Sequence, residues 1–173
     1  MNRTVPAIPS KSTRQPRTAP LLLEAFLPYR LNVLAASVSE ALARIYRERY
    51  GFGIPEWRVL ATLGQYGEIT ARGISEHAMM HKTKVSRAVA NLETRGLIER
   101  HANASDKREA HLRLRPEGRR VYLDLVPRAL AFTAELEAAL SAADRHTLDT
   151  MLDKLTARSR ALASTLAAQG EDA

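Results

Sequence analysis

Lys82 to Arg100 reads KTKVSRAVANLETRGLIER, and two hydrophobic periods meet inside it. Through Arg95 the apolar residues Val85, Ala88, Val89 and Leu92 recur every three to four positions, the spacing of one helix face. After Gly96 the period drops to two, with Ile98, Arg100 and Ala102 alternating with Glu99 and His101. Glycine is the residue that closes a helix at such a change. Beyond a charged loop, NASDKRE at residues 103–109, the alternation resumes: Ala110, Leu112 and Leu114 against His111, Arg113 and Arg115. A helix therefore leads into a two-stranded hairpin with one apolar face.

Working backwards, Thr70 is placed to cap a short helix through Ile74 and Ala78, preceded by the extended link GEIT. Pro55 suits the first turn of an earlier helix in which Trp57, Leu60, Ala61 and Leu63 repeat, ending near Gly64. From Leu21 to Tyr50 a longer helix carries Leu27, Leu31, Leu34, Ala35, Val38, Leu42 and Ile45 on one face, until Gly51 and Gly53 stop it. A short helix, a turn, a second helix and a hairpin make a winged helix. The turn itself, Met79-Met80-His81, contains no glycine.

Working forwards, Pro116 opens a helix to about Leu140 with Leu123, Val126, Leu130 and Leu136 apolar; Pro127 inside it predicts a bend or a break. Ser141-Ala-Ala-Asp144 resembles a capping box and starts a last helix carrying Leu148, Met151, Leu152, Leu155, Leu162 and Leu166. The stripes on the first and last helices exceed what one small winged-helix core can cover. A second copy of the chain is the economical partner. The expected fold is mainly α with a small two- or three-stranded antiparallel wing: a winged helix-turn-helix over 51–115, a helical dimerisation region from 21–50 and 116–170, and a disordered basic tail over 1–20.

The chain has 173 residues, 26 Lys and Arg against 19 Asp and Glu, and a formal charge of +7. That balance favours anionic partners, nucleic acid before an acidic membrane surface. No cysteine is present, which removes disulfides, thiolate zinc sites and thiol redox sensing. No apolar run approaches the roughly 18 residues of a bilayer span. The first twenty residues contain no acid, four basic residues and four prolines, and lack the apolar core of a secretory signal. Such a tail either adds weak non-specific attraction to DNA or has no role. The expected location is the cytoplasm, at the nucleoid when bound to DNA.

Opposite the apolar stripe of residues 82–92 lie Lys82, Thr83, Lys84, Ser86, Arg87, Ala90 and Asn91. Short side chains let a backbone approach, Lys and Arg suit phosphate or guanine, and Asn suits adenine. Taken alone, a solvated helix face explains the same residues equally well; the neighbouring short helix and hairpin favour a recognition helix. Base contacts and phosphate contacts are not separable for Lys82, Lys84 and Arg87.

With KTKVSRAVANLETRGLIER, then DKR in the loop and LRPEGR entering the next helix, residues 27 to 166 resemble a MarR-type transcriptional regulator, the multiple-antibiotic-resistance regulator family. The resemblance implies a homodimer that binds a palindromic operator, its recognition helix in the major groove and its wing in the adjacent minor groove. Family wings commonly carry an Asp-x-Arg pair, matched by Asp106 and Arg108 around Lys107. The implied roles are loop orientation for Asp106 and entry into the electronegative minor groove for Arg108. Two departures stand out: Arg115 occupies a helix-cap position where the family often has Ser or Thr, and the glycine-free turn noted above.

The resemblance also implies a repressor released by a small-molecule effector. FLPYRLNVLA and IPEWRVLATLG are similar to members that sense aromatic acids or their CoA thioesters. Tyr29, Arg30 and Trp57 become candidate contacts for an anionic aromatic effector; a core role for Trp57 and a surface role for Arg30 are the competing readings. A ligand-independent architectural DNA-binding dimer is the alternative function. His77 and His81 are spaced i,i+4, but no HExxH motif exists, so surface or turn histidines are favoured over a metal site. His101 and His111 are placed to meet across the hairpin. No catalytic triad, paired-carboxylate arrangement or phosphate-binding glycine loop is legible, so neither an enzyme nor a cofactor is expected.

Overall fold

The computed structural model describes residues 20–102 and 110–171. Most of the basic tail expected over 1–20, and the loop tip with Asp106, Lys107 and Arg108, lie outside the described residues. The chain divides into two units, one ending at Val38 and the other beginning at Ser39.

In the first unit a 3-10 turn, Leu23–Ala25, precedes the start of α1, Leu27–Tyr50. Pro28 in the first turn accounts for the helix beginning at Leu27 and not at the expected Leu21, since proline is tolerated there and not deeper. Leu21, Leu22, Leu27, Leu31, Val33 and Leu34 are exposed.

The second unit contains the end of α1, then α2 (Ile54–Tyr66), β1 (Ile69–Thr70), α3 (Ala71–His77), α4 (Lys82–Thr94), β2 (Ile98–Ala102), β3 (Ala110–Leu114), α5 (Pro116–Glu137) and α6 (Ala142–Glu171). Gly51 takes a positive φ of 67° after α1, and its N–H donates to the Arg47 carbonyl. At the start of α2 Glu56 accepts from Gly53 N–H at 3.0 Å, the carboxylate half of a capping box. Thr70 caps α3, its Oγ1 accepting from Gly73 N–H at 3.1 Å. Ser141 and Asp144 form the reciprocal cap expected before α6: Asp144 N–H donates to Ser141 Oγ, and Ser141 N–H to Asp144 Oδ2.

The sheet is antiparallel with strand order β1-β3-β2, so the extended GEIT link supplies a third strand. Ile98 faces Leu114 and Arg100 faces Leu112 on one side, while Glu99 faces Arg113 and His101 faces His111 on the other. The core gathers Ala43, Tyr46, Phe52, Val59, Leu60, Leu63, Ile74, Val85, Ala88, Val89, Leu92, Ile98, Leu112 and Leu125. Helices and sheet each contribute one face to it.

One expectation is corrected: α2 continues past Gly64 to Tyr66. A Cβ at Gly64 would stand 2.3 Å from the Tyr122 ring, so that glycine makes room for a neighbouring helix and does not end its own. α5 runs without a break through Pro127. Its start needs a different glycine: a Cβ at Gly118 would meet the Leu97 carbonyl oxygen at 2.0 Å, which fixes how closely α5 lies against the start of β2.

Candidate nucleic-acid interface

α4 is amphipathic in the way its sequence dictates. Val85, Ala88, Val89 and Leu92 are at most 1% exposed, while Lys82, Thr83, Lys84, Ser86, Arg87 and Ala90 are exposed. Burying one such aliphatic side chain contributes about 1.5–3 kcal/mol, which holds the helix with its basic face outward. His81 is the N-cap, its Nδ1 accepting from Thr83 N–H at 3.3 Å.

The turn into α4 forms without glycine. Met79 takes the left-handed conformation at φ 49°, Met80 N–H donates to the Ser75 carbonyl, and Ser75 Oγ donates to the Met80 carbonyl at 2.5 Å. Met80 is buried and Met79 points into solvent, 84% exposed. Arg58 of α2 donates to the Ala78 carbonyl at 3.2 Å, satisfying a carbonyl at the end of α3.

The two ends of α4 differ electrostatically. Its first turn holds Lys82 and Lys84 and no acid. Cations at a helix N-terminus oppose the macrodipole at a cost of about 0.3–1 kcal/mol each, and an anion there removes that cost. Lys82, Lys84 and Arg87 enter no ion pair with any described residue. At the far end, Asn91 Nδ2 donates to Glu56 Oε1 at 3.1 Å. Asn91 therefore stands apart from the other candidate contacts, being held by α2. Arg95, the C-cap, donates to the Tyr50 carbonyl at 2.6 Å and lies 4.4 Å from the centre of the Phe52 ring. Neither long-range partner has a signature in the sequence; only the basic residue just before Gly96 signals a C-cap.

Along the hairpin, Arg100 makes a two-point bond to Glu93 at 2.7 and 3.0 Å, joining β2 to α4. Glu99 on the opposite face accepts from Arg113 at 2.7 Å and bonds His101 at 3.1 Å, with Arg115 at 3.7 Å. Arg113 foremost, then His101, hold that carboxyl below its ordinary range. His77 stacks on Tyr66 with centroids 4.2 Å apart, so it and the cap His81 have separate structural tasks. Among the described residues, no cluster of three or more His, Cys, Asp or Glu could hold a metal ion.

A second feature lies between α2 and α5. A cleft of about 280 Å³ is lined by Trp57, Ala61 and Gln65 of α2 and by Tyr122, Val126, Ala129 and Leu130 of α5. Trp57 is half-buried and stacks on Tyr46 at 5.6 Å, so it belongs to the core rim and to the cleft together. Tyr29 and Arg30 are exposed in the first unit.

A short helix, a tight turn, a basic-faced helix and a three-stranded antiparallel wing define a winged helix-turn-helix. The model of the MarR family matches residues 50–109, the span from the end of α1 to the wing, and over that span the chain is similar to the winged helix of that family. Over about four fifths of its length the chain is also similar to solved regulators. A MarR family transcriptional regulator from Silicibacter pomeroyi DSS-3 is 29% identical, with 79% of this chain and 99% of that one covered and a TM-score of 0.67. A MarR/EmrR family regulator from Acinetobacter sp. ADP1 shares the fold at 24% identity and a TM-score of 0.74, covering 81% of this chain and 99% of that one. MepR of S. aureus, solved as a complex with DNA, shares it at 18% identity and a TM-score of 0.70, covering 77% and 97%. Among the curated proteins none matches the chain. No helix among the described residues is long and apolar enough to cross a membrane.

Proposed function

We propose that the protein is a DNA-binding transcriptional regulator, a repressor, that holds a palindromic operator as a homodimer and is released by a small-molecule effector. The observation that carries this reading is the start of α4: Lys82, Lys84 and Arg87 are exposed, and no described residue neutralises them, at a helix end that itself attracts anions. The MepR complex with DNA supports the same use of the fold. Lys82, Thr83, Lys84, Ser86 and Arg87 are the proposed major-groove contacts. Asn91 joins them only by giving up its bond to Glu56. Asp106, Lys107 and Arg108 are proposed for the wing, with Arg108 in the minor groove.

Dimerisation is supported by apolar residues that the second unit leaves in solvent: Leu130 and Leu136 on α5, and Leu152, Leu155 and Leu166 on α6. Isolated proteins rarely expose a continuous apolar stripe of that length. The α2–α5 cleft is the proposed effector site. Its lining is aromatic and aliphatic with two polar handles, Gln65 and Tyr122, which suits the ring of an aromatic acid or thioester. Trp57 is a proposed ring contact. Tyr29 and Arg30 remain proposed effector contacts, with Arg30 matched to an acid group.

Selection of bound duplexes from a random pool, repeated with phenolic acids and their CoA thioesters, tests the reading. An inverted repeat should emerge, and a subset of these compounds should release it. A pool that stays random, with binding unchanged by every compound, contradicts operator recognition and favours the ligand-independent architectural dimer; a repeat that none of these compounds releases contradicts the aromatic-acid effector.

A further inference from the structure

The last turn of α4 is tied to the same few residues that hold α5. Tyr50 gives its carbonyl to Arg95 and, 2.9 Å from Asp124 Oδ2, its hydroxyl to α5. Arg49 adds a two-point bond to the same carboxylate at 2.6 and 3.1 Å. The Tyr50 and Phe52 rings stack at 5.5 Å and 16°, and the Arg95 guanidinium covers the other member of that stack. Glu56, four residues on, caps α2 and holds Asn91. Residues 49–56 thus receive α5 from one side and the end of α4 from the other.

Asp124 also lies between two residues that line the cleft, Tyr122 and Val126. Four residues apart on a helix, Tyr122 and Val126 share a face, and a residue two positions from each points nearly the opposite way. One face of α5 therefore fronts the cleft while the other is bonded to Arg49 and Tyr50. A helix is stiff over one turn, so a push on Tyr122 is delivered to Asp124 as a shift of the whole segment.

We propose that Arg95 is a positioning residue that couples α5 to α4: it fixes the angle of the basic helix to the Tyr50–Asp124 junction, so that displacement of α5 at the cleft re-aims Lys82, Lys84 and Arg87. This rests on reading α4 as the DNA-contacting helix. Arg95 need not touch DNA to act, because it holds the opposite end of the helix from the cationic turn.

The chain supplies its own way to push. An alanine at Gly64 would drive the ring of Tyr122, a residue that lines the cleft, out of its seat. The test is a double-mutant cycle of Gly64→Ala and Arg95→Ala, read by affinity for a selected duplex and by hydrogen exchange of the α4 amides in the free protein. In the wild-type background Gly64→Ala should weaken binding about tenfold, within the usual range of site-to-site coupling. In the Arg95→Ala background the same change should cost less than about twofold, and Arg95→Lys, which keeps a cation and a donor, should restore most of the coupling. A purely structural Arg95 would lower the melting temperature yet leave the two fold-changes multiplying, which overturns the proposal. If the wild-type chain binds no duplex, the functional reading fails and exchange alone decides: Gly64→Ala should alter protection across residues 82–94 only while Arg95 is present, and an equal change without Arg95, or none with it, contradicts the coupling. Should Gly64→Ala not fold, Ala129→Phe fills the cleft from α5 and takes its place.

Discussion

The winged helix and α6 place their leucines in opposite surroundings. Leu60, Leu63, Leu92 and Leu112 are at most 1% exposed, enclosed by helices on one side and a sheet on the other. Leu152, Leu155, Leu162 and Leu166, spaced just as regularly, are 41–67% exposed on a 30-residue helix. Leucines recur at helical spacing in both, so that spacing reports an apolar face without saying what covers it. The sheet makes the difference: it gives the short helices something to close against, and α6 has no such counterpart among the described residues. The winged helix carries its own core, whereas the α6 leucines stay exposed among the described residues.

The sharpest way to break that contrast is to remove one leucine from each region. Leu92→Ala should destabilise the fold by about 2–5 kcal/mol, the range for a fully buried leucine whose cavity cannot collapse, measured by urea unfolding. Leu155→Glu should leave the secondary structure intact and lower the mass seen by sedimentation from two chains to one. An unchanged mass would mean that the α6 stripe is not the dimer seam.

A smaller effect concerns the turn before α4. Met79 holds a left-handed backbone that L side chains adopt at a cost of about 1–2 kcal/mol, while glycine adopts it freely. Because glycine also loses more entropy on folding, Met79→Gly should stabilise by at most about 1 kcal/mol. A loss of stability would show that the methionine side chain contributes more than its 84% exposure implies.

The smallest effect separates the α5 junction from the core. Hydrogen bonds from Arg49 and Tyr50 pull the Asp124 carboxyl down to about 2 from its ordinary 3.8. A carboxyl whose folded pKa is depressed stabilises the fold above its unfolded pKa, and that contribution disappears as pH falls through the folded one. Wild type should therefore be more stable than Asp124→Asn above about pH 4, with the gap closing toward pH 2. A gap that stays constant across this window would mean that the carboxylate's charge is not what Arg49 and Tyr50 hold.

Much of the winged helix was legible because local signals and tertiary demands agree. The change of period at Gly96, the Thr70 cap and the Ser141–Asp144 cap each appear where the residues place them. Gly64 misled because its purpose lies 58 residues away in the Tyr122 ring. The basic face of α4 was legible residue by residue. What holds its far end was not: Asn91 to Glu56 and Arg95 to Tyr50 are pairings across 35 and 45 positions that no spacing rule announces.

The central claim, that the cationic start of α4 meets phosphate, is tested most directly by duplex affinity against salt concentration for wild type and for Lys84→Ala with Arg87→Ala. Each phosphate contact releases counterion and steepens the plot of log K against log salt by about 0.9. The double variant should bind more weakly at every salt concentration, with a slope shallower by about 2. Equal slopes, with affinity unchanged, would contradict it.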